Sequence, residues 1–316
     1  MFFTTNPPSP ENLDPEIIQA ISELTSGKRN ATDILRLSDI DRGTAAAILP
    51  LLRSAPLDAR RYIVRQMLEQ SETNVQVDFS RVLHQFVDDS DAEVRVLAIQ
   101  GLWEDESVRF ADQLLDMLAT EFDPAVREAI VEGLGRFAYL ASTGELDDDR
   151  ASRIHHTLIE LFQSDEQVAV RRRALESVAY FDDEEVEEAI AEAFDSIIHD
   201  LHIASIFSMG RNLSERWFPT ILGEMQDPDA EIRFEAVRAS GEFGDERAVS
   251  LLLDLLEDED AEVRMASVVA LGQIGGKVAV GALRRLVRDG DPAMSETAQE
   301  ALNQATVSND PMRLSP

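Results

Sequence analysis

The chain has 316 residues, 44% hydrophobic and 28% charged, enough apolar material for a substantial core, which excludes global disorder. Its formal charge of −32, from 61 acids against 29 bases, repels phosphate backbones and anionic membrane surfaces. The absence of cysteine excludes disulfides, thiolate metal sites and a cysteine nucleophile.

The N-terminus, Met1-Phe2-Phe3-Thr4-Thr5-Asn6-Pro7-Pro8, lacks the basic region and long apolar stretch of a secretory signal. No apolar run approaches the roughly 20 residues a membrane helix needs. The expectation is a soluble, cytoplasmic protein. Residues 1–41 read as an N-terminal segment with one short helix, Pro15 to Leu24. Residues 42–306 read as a repeat array, and residues 307–316 as a flexible C-terminal tail.

Self-similarity carries the fold. Arg61 marks a divergent early copy of a block that recurs as Asp91-Ala-Glu-Val94-Arg95 and Asp123-Pro-Ala-Val126-Arg127. A looser copy is Asp165-Glu-Gln-Val-Ala-Val170-Arg171. Two close copies are Asp227-Pro-Asp-Ala-Glu-Ile232-Arg233 and Asp258-Glu-Asp-Ala-Glu-Val263-Arg264. Arg171, His202, Arg233, Arg264 and Ser295 lie at successive intervals of 31. An insertion near residues 140–149 interrupts the frame upstream. Downstream of the register residue, at a fixed offset, come Gly135, Gly210, Gly241 and Gly272.

Each copy reads as two helices. In the copy from Glu246 to Ile274, a first helix near Arg247 to Glu257 places Val249, Leu252, Leu253 and Leu256 at helical spacing. The acidic turn Asp258-Glu-Asp260 caps a second helix that starts at Ala261. Gly272 and Gly275 suit a C-terminal cap and turn. No run alternates with period 2, so strands are not expected.

The copies Leu255-Leu-Glu-Asp-Glu-Asp-Ala-Glu-Val-Arg264 and Met225-Gln-Asp-Pro-Asp-Ala-Glu-Ile-Arg233 resemble the short HEAT-like repeat of the phycobilisome-lyase type. The resemblance covers roughly residues 42–306. It implies an all-α fold, a right-handed α-solenoid of about eight such helix pairs, with degenerate first and last units as caps. It also implies that second helices line the concave side. Bilin lyases and chromophore chaperones belong to the same resemblance.

Few residues point to chemistry. The repeated arginines read first as a structural ladder, each bridging to a neighbouring acidic turn. A related HEAT-type enzyme, deoxyhypusine hydroxylase, binds iron through His-Glu dipeptides. This sequence contains none, and its histidines (His84, His155, His156, His199, His202) give no chelate, so neither a metal nor another cofactor is expected. No G-x-S-x-G, phosphate loop or dinucleotide fingerprint is present. Asp182 to Asp200 hold nine acids and no Lys or Arg, which reads first as a solvated face. Trp103 stands where other copies have Gly, and Trp217 where they have Ala248 and Ala279; both read first as gap-fillers.

Positions one and five after the register residue share a helix face. They are Val96/Gln100, Glu128/Glu132 and Arg172/Glu176, then Ile203/Phe207, Phe234/Arg238 and Met265/Val269, then Glu296/Glu300. The groove is thus expected to turn apolar at Ile203, Phe207, Phe234, Arg238, Met265 and Val269, with charge at both ends. The functional expectation is a non-catalytic scaffold or adaptor for a protein partner, one that is basic or brings an amphipathic segment. The alternative is bilin-lyase-like chromophore handling. Three tyrosines and two tryptophans offer little to stack a tetrapyrrole, and the acidic charge suits its propionates badly.

Overall fold

A computed structural model describes residues 13–308, with side chains through residue 305. The expectations for residues 1–12 and for the tail from residue 309 lie outside the described residues. Every regular element among them is helical. In chain order the α-helices are α1 (Pro15–Thr25), α2 (Ala31–Leu35), α3 (Arg42–Arg53), α4 (Leu57–Thr73), α5 (Ser80–Leu83), α6 (Ala92–Gln100), α7 (Val108–Leu118), α8 (Pro124–Ser142) and α9 (Asp148–Ser164). Then follow α10 (Val168–Val178), α11 (Glu184–Phe194), α12 (His199–Asn212), α13 (Phe218–Glu224), α14 (Ala230–Phe243), α15 (Val249–Leu255), α16 (Ala261–Ile274), α17 (Gly276–Asp289) and α18 (Pro292–Ser308). From α3 onward these form helix pairs, so the fold is an all-α solenoid.

The repeated block explains the start of α6, α14 and α16. Its aspartate is the N-cap: Asp91 accepts from the Val94 amide, Asp229 from Glu231, and Asp260 from Glu262 and Val263. Its aliphatic residue turns inward, and Val94, Val126, Val170 and Val263 are fully buried, each stabilising by roughly 1.5–3 kcal/mol.

Packing divides the chain into two compact units. The first runs to residue 140 and includes residues 146–154; in it α1 and α2 pack against α3 and α4, and α4 packs on α6. Ile21, Leu24, Ile34, Ile48, Ile63 and Met67 make its buried N-terminal core. The second takes residues 141–145 and 155 onward. Its second helices α10, α12, α14, α16 and α18 pack side by side in one row, with α11, α13, α15 and α17 laid against them.

Two local expectations change, and the insertion takes a definite form. The first helix expected over Arg247 to Glu257 is a 3-10 turn, Glu246–Ala248, followed by the short α15. The insertion lengthens both flanking helices, α8 to 19 residues and α9 to 17, around a short turn with Gly144 at φ 77°. Gly272 caps nothing. It lies inside α16, where an added Cβ would sit 2.8 Å from Ala301 Cα. The helix-ending residue is Gly275, at φ 68°.

Gly244 holds the matching left-handed position after α14, at φ 67°. After α12 that position is Leu213, at φ 57° and 52% exposed. A branched side chain there costs about 1–2 kcal/mol, partly offset by the greater unfolded-chain freedom of glycine. Leu213→Gly is therefore expected to stabilise the second unit by roughly 0.5–1 kcal/mol. A chemical-denaturation midpoint that falls would contradict this.

Candidate functional site: a groove between second helices

The register residue has one recurrent structural task. It reaches back to carbonyls at the end of the preceding first helix or turn. Arg127 donates to the Leu118 and Glu121 carbonyls, Arg171 to Phe162, Arg233 to Asp227 and Pro228, and Arg264 to Asp258 and Glu259. His202 donates its Nδ1 proton to the Phe194 carbonyl at 2.6 Å, and Ser295 donates to Val287 at 2.9 Å. The frame thus keeps the function where it loses the arginine. In three copies the arginine also bridges forward to the next acidic turn. Arg61 grips Asp91, Arg95 grips Glu121, and Arg233 grips Asp258 at 2.9 and 2.8 Å. The expected ladder exists at these rungs.

With the arginines spent on structure, the exposed faces of the second helices are left. Phe234 and Arg238 on α14 and Met265 and Val269 on α16 line one open groove of about 540 Å³. Phe234 and Met265 are half-buried, and Val269 is 41% exposed. Glu242 and Glu262 complete the sides of the groove. These four residues were placed together by the frame. Ile203 and Phe207, on α12, are half-buried but do not line it.

Phe207 is not an apolar wall. Arg211 and Arg238 lie over its ring at 5.1 and 5.6 Å, and Arg238 also lies 5.9 Å from the Phe234 ring. The face therefore interleaves rings with guanidinium groups, an arrangement in which each stabilises the other. Arg238 is held by Glu235 at 3.1 Å, and Arg211 lies 3.5 Å from Glu242. Burial pushes the Glu235 carboxyl up from its ordinary range, against the opposing pull of Arg238.

Other candidates take structural places. Trp217 is buried and donates from Nε1 to Asn212 Oδ1 at 3.1 Å, as a gap-filler should. Trp103 departs from that expectation, with its side chain 56% exposed. His84 contacts Asp105 at 2.5 Å, His155 approaches Asp183 at 2.9 Å, and His199 approaches Asp229 at 3.0 Å. No cluster of three or more metal-ligating side chains occurs among the described residues. No helix among them is long and apolar enough to cross a membrane. The acidic stretch forms α11, where Glu187 pairs with Arg216 at 2.6 Å and the remaining acids mostly face outward.

Residues 218–303, which include the whole groove, match the family model for HEAT repeats. The protein carries HEAT repeats. No curated protein sequence matches the chain. Among solved structures, Kap95 in the Kap95:Nup1 complex is similar over 96% of this chain, with a TM-score of 0.51 and 13% identity. This HEAT-repeat chain spans 47% of that chain's length, and the likeness is one of fold. The CpcE and CpcF complex of phycocyanin lyase from Nostoc sp. PCC7120 is similar at TM-score 0.48 and 18% identity, covering 72% of this chain and 94% of that one. E. coli YibA is similar at TM-score 0.46 and 16% identity, covering 93% and 98%.

Proposed function

We propose that this HEAT-repeat chain is a non-catalytic scaffold that binds a protein partner through the second-helix face of α12, α14 and α16. The observation that supports the reading is the open groove between α14 and α16, where Phe234, Met265 and Val269 stay accessible instead of closing on each other. An apolar floor rimmed by charge is the usual composition of a protein-binding surface. The rim is acidic: Glu242 and Glu262 line the groove, and Glu296 and Glu300 on α18 are exposed. The partner is therefore an amphipathic segment with apolar anchors and basic flanks.

Val269→Glu tests this without touching the core, because Val269 is exposed. Proteins retained by the wild-type chain from a lysate of its source organism should be lost with Val269→Glu and with Phe234→Asp/Met265→Glu. Circular dichroism checks that the variants stay helical. For an isolated partner the expected loss of affinity is at least tenfold, about 1.4 kcal/mol. Unchanged retention by folded Val269→Glu would move the contact surface elsewhere.

A further inference from the structure

A groove of about 930 Å³ is walled by the first helices α3, α5 and α7 of the first unit, and it shares no residue with the groove between α14 and α16. In a chain with 61 acids against 29 bases, three arginines line it. Arg42 is the first residue of α3, Arg81 the second of α5 and Arg109 the second of α7, and all three are exposed. A cation in the first turn of a helix opposes the helix dipole. Arg42 and Arg109 stand there without compensation: among the described residues, neither has a hydrogen-bond or ion-pair partner. The carboxylate that Arg109 would meet one turn further along its helix, Asp112, is held by Arg150 at 2.8 Å and Arg153 at 3.3 Å.

The rest of the lining leaves this positive charge open. Arg81 donates from Nη1 to the Ile40 carbonyl at 2.8 Å, which positions the guanidinium but does not neutralise it. Hydrogen bonds from Arg150 hold the Asp112 carboxyl below its ordinary range, so it stays ionised and spent on that pair. Asp116 also lines the groove, seven residues past Arg109 on α7. That is about 10 Å along the helix axis, beyond the roughly 8 Å screening length at physiological salt. Both helix starts are already capped, α3 by Asp41 and α7 by Ser107, so an anion's partners here are the guanidinium groups and not the helix ends. Phe110 and Met117 add apolar surface to the groove.

The geometry points to a binding site for a small phosphorylated organic molecule. Its phosphate accepts from Arg42, Arg81 and Arg109 together. Three terminal oxygens and a charge near −2 suit three guanidinium forks better than the two coplanar oxygens of a carboxylate. Its organic part lies against Phe110 and Met117, and the groove has the volume of a small-molecule cleft. Charge also limits the size of the occupant. A nucleic acid or an anionic membrane must lay many charges along the surface of a −32 chain, which repels them. A single phosphate in the groove meets the arginines at contact and the distant acids only through screening. The inference does not rest on the groove of the second unit and stands or falls separately from it.

The test is calorimetric titration at physiological salt with phenyl phosphate, inorganic phosphate and citrate, and sedimentation with phosphatidylcholine vesicles containing phosphatidic acid. Phenyl phosphate should bind saturably at one site, more tightly than inorganic phosphate and roughly tenfold or more tighter than citrate, although citrate carries more charge. The vesicles should not carry the chain down. Arg42→Gln and Arg109→Gln remove exposed side chains that hold nothing in place, so both variants should keep the wild-type melt. Each should weaken phenyl phosphate roughly tenfold or more. Arg284→Gln/Arg285→Gln, which removes two exposed arginines of α17 in the second unit, should leave binding unchanged, as should Val269→Glu. Phenyl phosphate should also raise the thermal midpoint of the wild type and not that of Arg42→Gln/Arg109→Gln. No saturable binding, equal affinity of wild type and Arg42→Gln/Arg109→Gln, an equal loss in the α17 variant, or citrate binding as tight as phenyl phosphate would overturn the assignment. Vesicle binding that needs Arg42 and Arg109 would overturn it in favour of a lipid headgroup.

Discussion

Gly210→Ala is expected to destabilise the second unit by about 2 kcal/mol, although alanine is the better helix former by about 1 kcal/mol. Gly210 lies inside α12, and an added Cβ would sit 2.8 Å from Ala239 Cα and 2.9 Å from Ala239 Cβ on α14. Both contacts are below any separation that packed carbons tolerate. The clash meets main chain, so no side-chain rotation relieves it, and α14 is itself held between α12 and α16. Overpacking of this kind costs about 1–3 kcal/mol, and here the upper end applies. Gly281 on α17 is the control, because an added Cβ there meets nothing within 4 Å. Gly281→Ala should gain the helix-propensity term, about 1 kcal/mol. In thermal melts of a body this size, Gly210→Ala should lower the midpoint by about 4–8 °C and Gly281→Ala should raise it by about 2–4 °C. Shifts of the same sign would mean that the helices do not approach as closely as Gly210 and Ala239 require.

That contact also shows what was legible in the sequence and what was not. The interval of 31 exposed the glycine frame, but a repeated glycine has two physical uses: it turns a chain, or it admits a neighbour. Gly275 does the first and Gly272 the second. Local pattern does not separate these uses, because the deciding atom, Ala301, lies on another helix. The aspartate caps and the buried Val or Ile of each block were legible because both act within a few residues of themselves. The insertion was legible as extra length, but its form was not. Its residues extend α8 and α9 in place of a loop, because the helical pattern continues through Tyr139 and Leu140 on one side and from Asp148 on the other.

The groove was legible for a related reason. Positions one and five after the register residue repeat in space as they do in sequence, so Phe234, Arg238, Met265 and Val269 fall together. Phe207 obeys the same rule, yet its ring is covered by Arg211 from its own helix and by Arg238 from the next. Stacking across helices is invisible to single-helix periodicity. Trp103 carried the opposite lesson. Its signal was present as a tryptophan in a glycine frame, and the gap-filling reading failed because α6 ends before the close contact that would have needed filling.

The ion pair between Arg233 and Asp258 is the second place where one substitution should weigh heavily. Both side chains are buried, at 8% and 7% exposure, and Arg233 spends its remaining donor on the Asp227 and Pro228 carbonyls. Removing one partner strands the other charge in a poorly solvated turn. Asp258→Ala and Arg233→Ala are each expected to cost about 3 kcal/mol, and the double substitution much less than the sum, since it leaves no orphaned charge. The pair between Arg61 and Asp91, of similar geometry, is more open to water, so its loss should matter less. Acid gives an independent signature. Burial pushes the Asp258 carboxyl up, but the hydrogen bonds from Arg233 and the Asp260 amide outweigh that and hold it below its ordinary value. A carboxyl depressed in the folded state contributes its stability fully above the unfolded value, about pH 4, and loses it as pH falls through the folded value. In urea melts the gap between wild type and Asp258→Ala should therefore stay constant from pH 7 to about pH 5 and close below about pH 4. A gap that persists in acid would mean that Asp258 stabilises this turn by shape alone, through its contact with the Asp260 amide, and that the rung to Arg233 adds little.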